Sequence, residues 1–223
     1  VSANGQLSKP TAMLPAPDIA LWPALAEDAS WVSLPLPVMA GAVRYQVQLA
    51  EHKDLNQIVR SGLFTQSPAR LTGVPDGDYL ATVRAIDANG IPGARSTHSL
   101  RVKATPVPPL YESPEPDAVV GLGQRGLQCT KVEQASSYRI QVAASGADFA
   151  QPLIDVSALQ ECSLAAQALA KLPVGDYQWR VASTRTLANG QQDPGPFAPP
   201  QRMKLAEAPK SPELQMGGSA GEG

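Results

Sequence analysis

The stretch GDYLATVRAIDANG, residues 77–90, returns as GDYQWRVASTRTLANG, residues 175–190. In both copies Gly-Asp-Tyr opens a run in which small or apolar residues occupy every second position, and an Asn-Gly pair closes the stretch. A period of two is typical of a β-strand with one buried face. Asn-Gly suits the positive φ angles of a tight hairpin turn. The two stretches therefore predict the same strand and hairpin, written twice in one chain.

A second pair of stretches extends the repeat toward the N-terminus. GAVRYQVQLA (41–50) matches QASSYRIQVA (134–143), so that Tyr45 aligns with Tyr138 and the apolar residues again alternate. Loops between strands accept insertions easily, which accounts for the unequal spacing of the matching stretches. The chain is therefore interpreted as two copies of one domain.

The domain boundaries follow from the repeat and from composition. The segment TPVPPL (105–110) predicts a short, stiff joint, because proline fixes φ and removes a backbone donor. The C-terminal end is small, polar and Gly-rich, which is typical of a disordered tail. We assign an N-terminal extension to 1–11, the first domain to 12–104, the second domain to 105–207 and the disordered tail to 208–223.

Each copy resembles a β-sandwich in the spacing of its strands. About seven short strands with frequent turns are typical of an immunoglobulin-like domain. Tyr79 and Tyr177 each follow a Pro-x-Gly-Asp turn, which is the place of a tyrosine corner, where the hydroxyl bonds nearby backbone. Alternation predicts that one set of side chains points inward: Tyr79, Ala81, Val83 and Ala85, and in the second copy Tyr177, Trp179, Val181 and Ser183. The stretch 163–173, rich in Ala and Leu, predicts a helical turn.

The charge distribution excludes some classes of function. The net charge is −2, from +9 − 8 = +1 over 1–104 and +9 − 12 = −3 over 105–223. The sequence shows no Lys/Arg cluster, which argues against a nucleic-acid partner. The apolar runs are far shorter than the ~20 residues that span a bilayer, so no membrane insertion is expected. No signal-peptide pattern opens the chain, and the first residue, Val1, favours a fragment or a processed protein.

Few residues suggest chemistry. The two histidines, His52 and His98, are interpreted as surface side chains. Asp78 and Asp176 recur and could suggest a metal site, but an aspartate in a Gly-Asp turn is expected to bond its own backbone. No phosphate loop and no zinc or redox motif is present. We therefore expect no catalytic, cofactor-binding or metal-binding residues, and no cofactor.

Cys129 and Cys162 are the two cysteines of the chain, and two interpretations remain open. The second and fifth strands of such a sandwich are neighbours in one sheet, so these residues could form a disulfide. They could also be two buried thiols that act as small apolar side chains, since Cys129 occupies the place of Leu36 in the first copy. The sequence alone does not decide the pairing.

The aromatic residues outside the repeat have two interpretations as well. They are expected to close the ends of the sandwiches or the joint between the domains, because aromatic side chains dominate core area. An exposed row of them could instead stack on sugar rings. These residues are Trp22, Trp31, Phe64, Tyr111 and Phe197.

The motif L-x-C-x-x-V-x-x-A-x-x-Y-R-I-Q-V-A (127–143), followed by L-P-V-G-D-Y-Q-W-R-V (172–181), resembles the fibronectin type III-like repeats of bacterial FecR-domain proteins, which often carry a LysM domain. The resemblance covers roughly residues 12–207. In that family the place of Leu36 and Cys129 is usually held by Trp. The resemblance implies a periplasmic location in a Gram-negative bacterium. Peptidoglycan contact and FecR signalling would come only through domains that are absent from this chain.

Fold and function are thus expected as follows. The fold is all-β, with two tandem immunoglobulin- or fibronectin type III-like β-sandwiches joined by a short Pro-rich linker. The function is that of a non-enzymatic spacer or interaction module of a cell-envelope protein, which contacts protein partners or presents N-terminal FecR- or LysM-type domains. The alternatives are a carbohydrate-binding tandem module and an accessory region of a secreted enzyme, and fold alone does not choose among them.

Overall fold

A computed structural model describes residues 12–51 and 54–208. The predicted N-terminal extension and, apart from residue 208, the predicted disordered tail lie outside these ranges, as does His52. The chain divides into two compact units, with the boundary between Thr105 and Pro106. We call them unit 1 and unit 2.

Unit 1 is a β-sandwich of two sheets. The larger sheet has the strand order β1-β7-β6-β3-β4, and the smaller sheet pairs β2 with β5. The fourth strand joins the sheet of the third, whereas in an immunoglobulin constant domain it joins the sheet of the second and fifth. This order is the fibronectin type III arrangement. The seven strands of its described part are β1 (Leu25–Ala26), β2 (Trp31–Leu34), β3 (Arg44–Glu51), β4 (Asp54–Phe64), β5 (Ala69–Thr72), β6 (Gly77–Ile86) and β7 (Pro92–Val102).

Unit 2 repeats this arrangement. Its larger sheet has the order β12-β11-β14-β16-β9, with β15 also paired to β14, and its smaller sheet has the order β13-β10-β8. The elements are β8 (Tyr111–Ser113), β9 (Ala118–Gly121), β10 (Leu127–Cys129), β11 (Ser137–Ala144), β12 (Ile154–Leu159), β13 (Ser163–Leu164), α1 (Ala166–Leu169), β14 (Gly175–Thr186), β15 (Gln192–Phe197) and β16 (Gln201–Ala206).

The first and last strands of unit 2 are each broken in two. Pro114 and Pro116 separate β8 from β9, and Pro199 and Pro200 separate β15 from β16. At each break, proline removes a backbone donor from the strand ladder. This is why the described part of unit 2 has nine strands where the sequence predicts about seven.

The predicted inward positions are confirmed. Along β6 and β14 every one of the eight predicted side chains is at most 5% exposed. Trp179 lies at the centre of the unit 2 core and is 0% exposed, with the ring of Tyr111 against its edge at a centroid distance of 4.6 Å. The predicted helical turn is also present as α1, whose Leu169 is buried in the same core.

The Asn-Gly turns differ from the prediction in one respect. Among the described residues of each hairpin only the glycine has a positive φ, +80° at Gly90 and +82° at Gly190. The Gly90 N–H donates to Asp87 O at 3.0 Å and the Asp87 N–H donates to Ile91 O at 3.1 Å, so three residues form the loop. The Asp87 side chain favours this shape, because its Oδ1 accepts from the N–H groups of Asn89 and Ile91 at 2.9 and 2.8 Å. The tight hairpin turn is therefore present, as a three-residue loop in which the glycine alone has a positive φ.

From Pro106 onward, the predicted linker is part of unit 2. Pro106 and Pro109 are buried, and the Ser183 hydroxyl donates to Val107 O at 2.6 Å. A Cβ on Gly195 would lie 2.0 Å from Pro106 O, so only glycine allows the backbone this close. The segment is thus packed along β14 and β15.

Candidate functional site

The two predicted corner tyrosines have the same environment. The Tyr79 hydroxyl donates to Pro75 O at 2.8 Å, and the Tyr177 hydroxyl donates to Pro173 O at 2.8 Å. Both side chains are 5% exposed, so each ring fills the core while its hydroxyl closes the turn four residues upstream. Burial, and then the negative charge of Asp76, raise the pKa of Tyr79.

A second pair of tyrosines with a similar role was not singled out from the sequence. The Tyr45 hydroxyl donates to Pro37 O at 2.5 Å, whereas the Tyr138 hydroxyl accepts from the Val132 N–H at 3.0 Å. Tyr45 thus ties β3, and Tyr138 ties β11, to the loop before the strand. The sequence could have indicated this role, because the two tyrosines align in the repeat and lie on the predicted inner face of their strands.

The structure brings Cys129 and Cys162 together in the smaller sheet of unit 2. They are joined by a disulfide with a Cα–Cα distance of 5.2 Å, and both are 6% exposed. The Cys129 N–H also donates to Cys162 O at 2.9 Å. The bond therefore ties β10 to the residue that precedes β13, at the edge of the buried core.

Asp78 and Asp176 do not take the role expected from the sequence. Both are exposed and lie inside strands, β6 and β14, and not in the turn itself. In unit 1 the residue that bonds backbone is Asp76, two positions earlier. The place of Asp76 in unit 2 is held by Val174, so this feature is not part of the repeat.

Asp76 is the centre of a network at the C-terminal end of unit 1. Its Oδ1 accepts from the Ala104 N–H at 2.7 Å and the Thr105 N–H at 3.2 Å, and its Oδ2 accepts from Thr105 Oγ1 at 2.8 Å and Lys103 Nζ at 3.0 Å. Burial acts to raise the pKa of this carboxyl, but the hydrogen bonds from Ala104, Thr105 and Lys103 outweigh burial and hold it below its usual value.

His98 is not the surface side chain predicted from the sequence. It lies opposite the buried Ala81 in the ladder of β6 and β7, so it points to the inner face, and it is half-buried. Its Nε2 lies 3.1 Å from Pro23 O, and its ring meets Trp22 edge-to-face with centroids 6.2 Å apart. The segment before β1 covers it, which the local sequence did not indicate. His98 thus closes the core beside Trp22.

The aromatic residues outside the repeat divide into two groups. Trp22 and Tyr111 close the ends of their sandwiches, as expected, and Phe64 packs against the unit 1 core. Trp31 is 37% exposed and has the Arg70 guanidinium over its ring at 4.7 Å. Phe197 also lies under a guanidinium.

The outer face of the larger sheet in unit 2 carries a stack of rings and guanidinium groups. The Arg180 guanidinium carbon lies 4.1 Å from the ring centroid of Phe149 and 4.0 Å from that of Phe197. Arg180 Nε donates to Gln141 Oε1 at 2.8 Å, and Gln141 is only 3% exposed beneath it. A guanidinium between two rings is stabilised by both π-faces. The ring faces toward Arg180 are therefore occupied by this chain's own side chain.

Asp155 completes this cluster. Its carboxylate accepts from Arg139 Nε at 2.8 Å and Arg139 Nη2 at 2.6 Å, in a bidentate pair, and from Gln141 Nε2 at 2.9 Å. The hydrogen bond from Arg139 is the largest cause that lowers the pKa of Asp155. Where β14 pairs with β15, Arg185 Nε pairs with Asp193 Oδ2 at 2.8 Å.

The outer face of the larger sheet in unit 1 brings three arginines together. Arg84 lies directly opposite Arg95 in the ladder of β6 and β7, and Arg44 lies diagonally across from Arg84 on β3. We call these three residues the arginine face. The sequence interpretation that no basic cluster exists is therefore wrong at this place, because the three residues are far apart in sequence and meet only in the sheet.

Two further observations concern the described residues alone. No group of three or more His, Cys, Asp or Glu side chains there is arranged to hold a metal ion. None of the helices in that part of the chain has the length and apolar character needed to cross a membrane.

Comparison with known proteins adds the following. No protein-family model and no curated protein matches the chain. Among solved structures, it is similar to the FN1–FN3 domains of chicken CNTN1, with 16% identity over 89% of this chain and 68% of that one, at a TM-score of 0.34. It is also similar to the fibronectin(III)-like modules of Clostridium thermocellum CbhA, with 16% identity over 86% of this chain and 93% of that one, at a TM-score of 0.31. The assignment of the fold rests on the strand order of each unit: the chain is all-β and consists of two tandem fibronectin type III-like β-sandwiches.

Proposed function

We propose that this chain is a non-catalytic spacer and interaction module of a periplasmic cell-envelope protein, which holds neighbouring domains apart and contacts protein partners. The spacer role is supported by one observation. The residues on each side of the boundary between Thr105 and Pro106 are bound firmly into their own unit. Residues that are fixed on both sides leave little chain free to act as a flexible linker.

On the unit 1 side, the Asp76 network fixes the last residues. Thr105 is held by two hydrogen bonds, from its N–H and from its hydroxyl, and Ala104 is held by one. Hydrogen bonds to a charged carboxylate are about twice as strong as those between neutral groups. Fraying of residues 104 and 105 would break several of them at once.

On the unit 2 side, the first residues are packed into the sandwich. Pro106 is buried, Val107 O accepts from the fully buried Ser183 hydroxyl, and the backbone of Gly195 allows Pro106 O to approach. Proline adds stiffness because its φ is fixed. The anchored residues on the two sides, Thr105 and Pro106, are consecutive, which favours a spacer with a short joint.

Distance measurements on the full chain test the spacer role. Spin labels on cysteines introduced at the exposed residues Ser61 and Ser145 report the distribution of distances between the units. We expect a narrow distribution, which becomes broader in Asp76→Asn, because the neutral amide cannot replace the carboxylate in all its hydrogen bonds. Asp78→Asn is the matched control, since Asp78 is exposed, lies two residues away and takes no part in the network.

A reference variant with ten Gly/Ser residues inserted between Thr105 and Pro106 gives the width of a flexible joint. A wild-type distribution as broad as that of this variant would refute the spacer role. Equal broadening by Asp76→Asn and Asp78→Asn would show that the Asp76 network does not hold the joint.

The periplasmic location and the envelope context are supported by two features. Disulfides persist in oxidising compartments such as the periplasm, and the structure joins Cys129 to Cys162. The motifs 127–143 and 172–181 resemble those of FecR-domain proteins, which suggests FecR- or LysM-type domains as the parts that are presented. Cell fractionation followed by mass spectrometry tests this proposal. Two free thiols in protein taken from the cell without reductant, or recovery in the cytoplasmic fraction, would contradict it.

A further inference from the structure

The arginine face has an arrangement of charge that costs stability. Arg84 and Arg95 lie directly opposite each other on neighbouring strands, and in such pairs the Cβ atoms are about 5 Å apart. Arg44 is a diagonal neighbour of Arg84, and diagonal neighbours are about 7–8 Å apart. Like charges directly opposite each other on a sheet are destabilising. The same two strands also contain a favourable pair, because Asp78 lies opposite Arg101. Arg101 thus has an opposite charge as its direct cross-strand neighbour, whereas Arg84 and Arg95 have each other.

Within residues 12–51 and 54–208, no carboxylate forms an ion pair with Arg44, Arg84 or Arg95. The nearest acidic residue in the hairpin between β6 and β7 is Asp87, and its Oδ1 already accepts from two backbone N–H groups. The Arg44 guanidinium lies beside this hairpin, with Nη2 4.0 Å from the position that a Cβ on Gly90 would occupy. The local charge is thus three positive groups against one negative group.

Unit 2 shows how this fold compensates arginines on the same face. Arg139 is paired with Asp155. Arg180 lies between two aromatic rings and donates to Gln141. The corresponding face of unit 1 has none of these partners for its three arginines among the described residues. Within residues 12–51 and 54–208, this chain thus supplies no partner for the arginine face.

We propose that the arginine face docks an acidic segment of a protein partner, with two or three Asp or Glu carboxylates bound by Arg44, Arg84 and Arg95. The guanidinium group presents donors in a fork that matches a carboxylate with two hydrogen bonds. Bound carboxylates would also remove the repulsion between Arg84 and Arg95. This inference rests on the interaction part of the proposed function and gives it a surface and a partner chemistry.

A protein segment fits this face better than a polyanion or a membrane. Val43 and Ile91, at the rim beside Arg44 and the hairpin, are 51% and 49% exposed, and a mixture of arginine and apolar side chains is typical of protein interfaces. Nucleic acids are usually bound through a larger number of phosphate contacts. The net charge of −2 also gives no long-range attraction for a polyanion. Recognition must then be local and must match a few carboxylates.

Binding of a labelled acidic peptide to the full chain tests the proposal. The probe is a fluorescein-labelled peptide with six glutamates, and the readout is fluorescence anisotropy at low and at physiological salt. We expect salt-sensitive binding that weakens by ~tenfold or more in the variant with both Arg84→Gln and Arg95→Gln. Arg101→Gln is the matched control, because Arg101 lies on the same strand and face but opposite Asp78, and we expect less than ~twofold change.

Thermal melting of the same variants separates binding from misfolding. We expect the double variant to melt at or above the temperature of the wild type, because it loses a repulsion and no described ion pair. Absence of peptide binding by the wild type, or equal loss in the Arg101 control, would overturn the proposal. So would tighter binding of a twelve-residue oligothymidine or of phosphatidylglycerol vesicles through the same arginines. None of these results depends on the distance measurements, so the spacer role stands or fails separately.

Discussion

Reduction of the Cys129–Cys162 disulfide should destabilise unit 2 and leave unit 1 unchanged. The bond joins residues 33 positions apart in the sequence, and both cysteines of the chain lie in unit 2. Unit 1 therefore serves as an internal control in the same molecule and in the same buffer. The perturbation is a reductant that reaches the buried disulfide after partial unfolding. A separate perturbation is a variant with Cys129→Ala and Cys162→Ala.

The size of the effect follows from the length of the closed loop. A cross-link over about 33 residues lowers the chain entropy of the unfolded state by an amount equivalent to ~3.7 kcal/mol at 25 °C. One kcal/mol changes the melting temperature of a domain of roughly 100 residues by about 4–8 °C. The expected loss for unit 2 is thus ~15–30 °C as an upper limit, because residual structure in the unfolded chain reduces the entropy difference.

Scanning calorimetry with and without reductant measures this effect, and hydrogen exchange read peptide by peptide assigns each transition to a unit. The reduced wild type retains both sulfur atoms, so its difference from the double alanine variant reports the packing of those atoms. A reductant that changes neither transition, or shifts both equally, would refute the reasoning. Two free thiols in the untreated folded protein would refute its premise.

Three further outcomes are expected. Tyr79→Phe and Tyr177→Phe should each cost about 1 kcal/mol in the free energy of unfolding of their own unit, because each removes one hydroxyl hydrogen bond to a proline carbonyl, as measured by denaturant unfolding. The pKa of Asp76 is lowered in the folded state. Its contribution to the stability of unit 1 is therefore complete above the unfolded-state pKa of about 3.9 and is lost as the pH falls through the folded-state pKa. Asp76→Asn should remove this part of the acid dependence, as measured by thermal melts from pH 7 to pH 2. Gly195→Ala should increase hydrogen exchange over residues 105–110, because the new Cβ would lie 2.0 Å from Pro106 O and must displace that segment.

Each of these has a control within the chain. The tyrosine assignments would be wrong if both phenylalanine variants unfolded like the wild type. For the acid dependence, an Asp76→Asn variant that kept the pH profile of the wild type would contradict the role of Asp76. Gly190→Ala is a control for steric contact alone, because a Cβ at Gly190 would meet no atom within 4 Å. Its φ of +82° strains the backbone of that variant for a different reason. Unchanged exchange over 105–110 in Gly195→Ala would show that the segment is not packed along β15.

Local regularities in the sequence predicted the elements of the fold. The alternation of Tyr79, Ala81 and Val83 with polar residues predicts a strand with one buried face, because side chains two apart on a strand share a face whatever lies beside the strand. The same argument applied to Tyr177 and Trp179, and the repeat then predicted two copies of one sandwich. The Ala- and Leu-rich segment before Gly-Asp-Tyr in the second copy likewise indicated the helical turn there.

Contacts across strands were decided only by the tertiary structure. Arg84 and Arg95 are eleven residues apart and become neighbours through the register of β6 and β7, and Arg44 joins them from β3. The sequence shows only which charged residues follow one another along the chain, whereas the strand register decides which of them become neighbours on the sheet. Neither the arginine face nor its contrast with unit 2 could therefore be derived from the spacing of residues in the sequence.

The same limit explains the role of Asp76 and the path of the proline segment. Asp78 recurs in the repeat and Asp76 does not, yet it is Asp76 whose carboxylate reaches Ala104 and Thr105, because the start of β6 lies beside the end of β7. The prolines of 105–110 predicted a stiff joint from local chemistry alone. The burial of Pro106 depends on a glycine that lies 89 residues later (195 − 106). Sequence determined which segments form strands, since that depends on neighbouring residues, and the packed sheets determined which side chains meet, since that depends on register between distant segments.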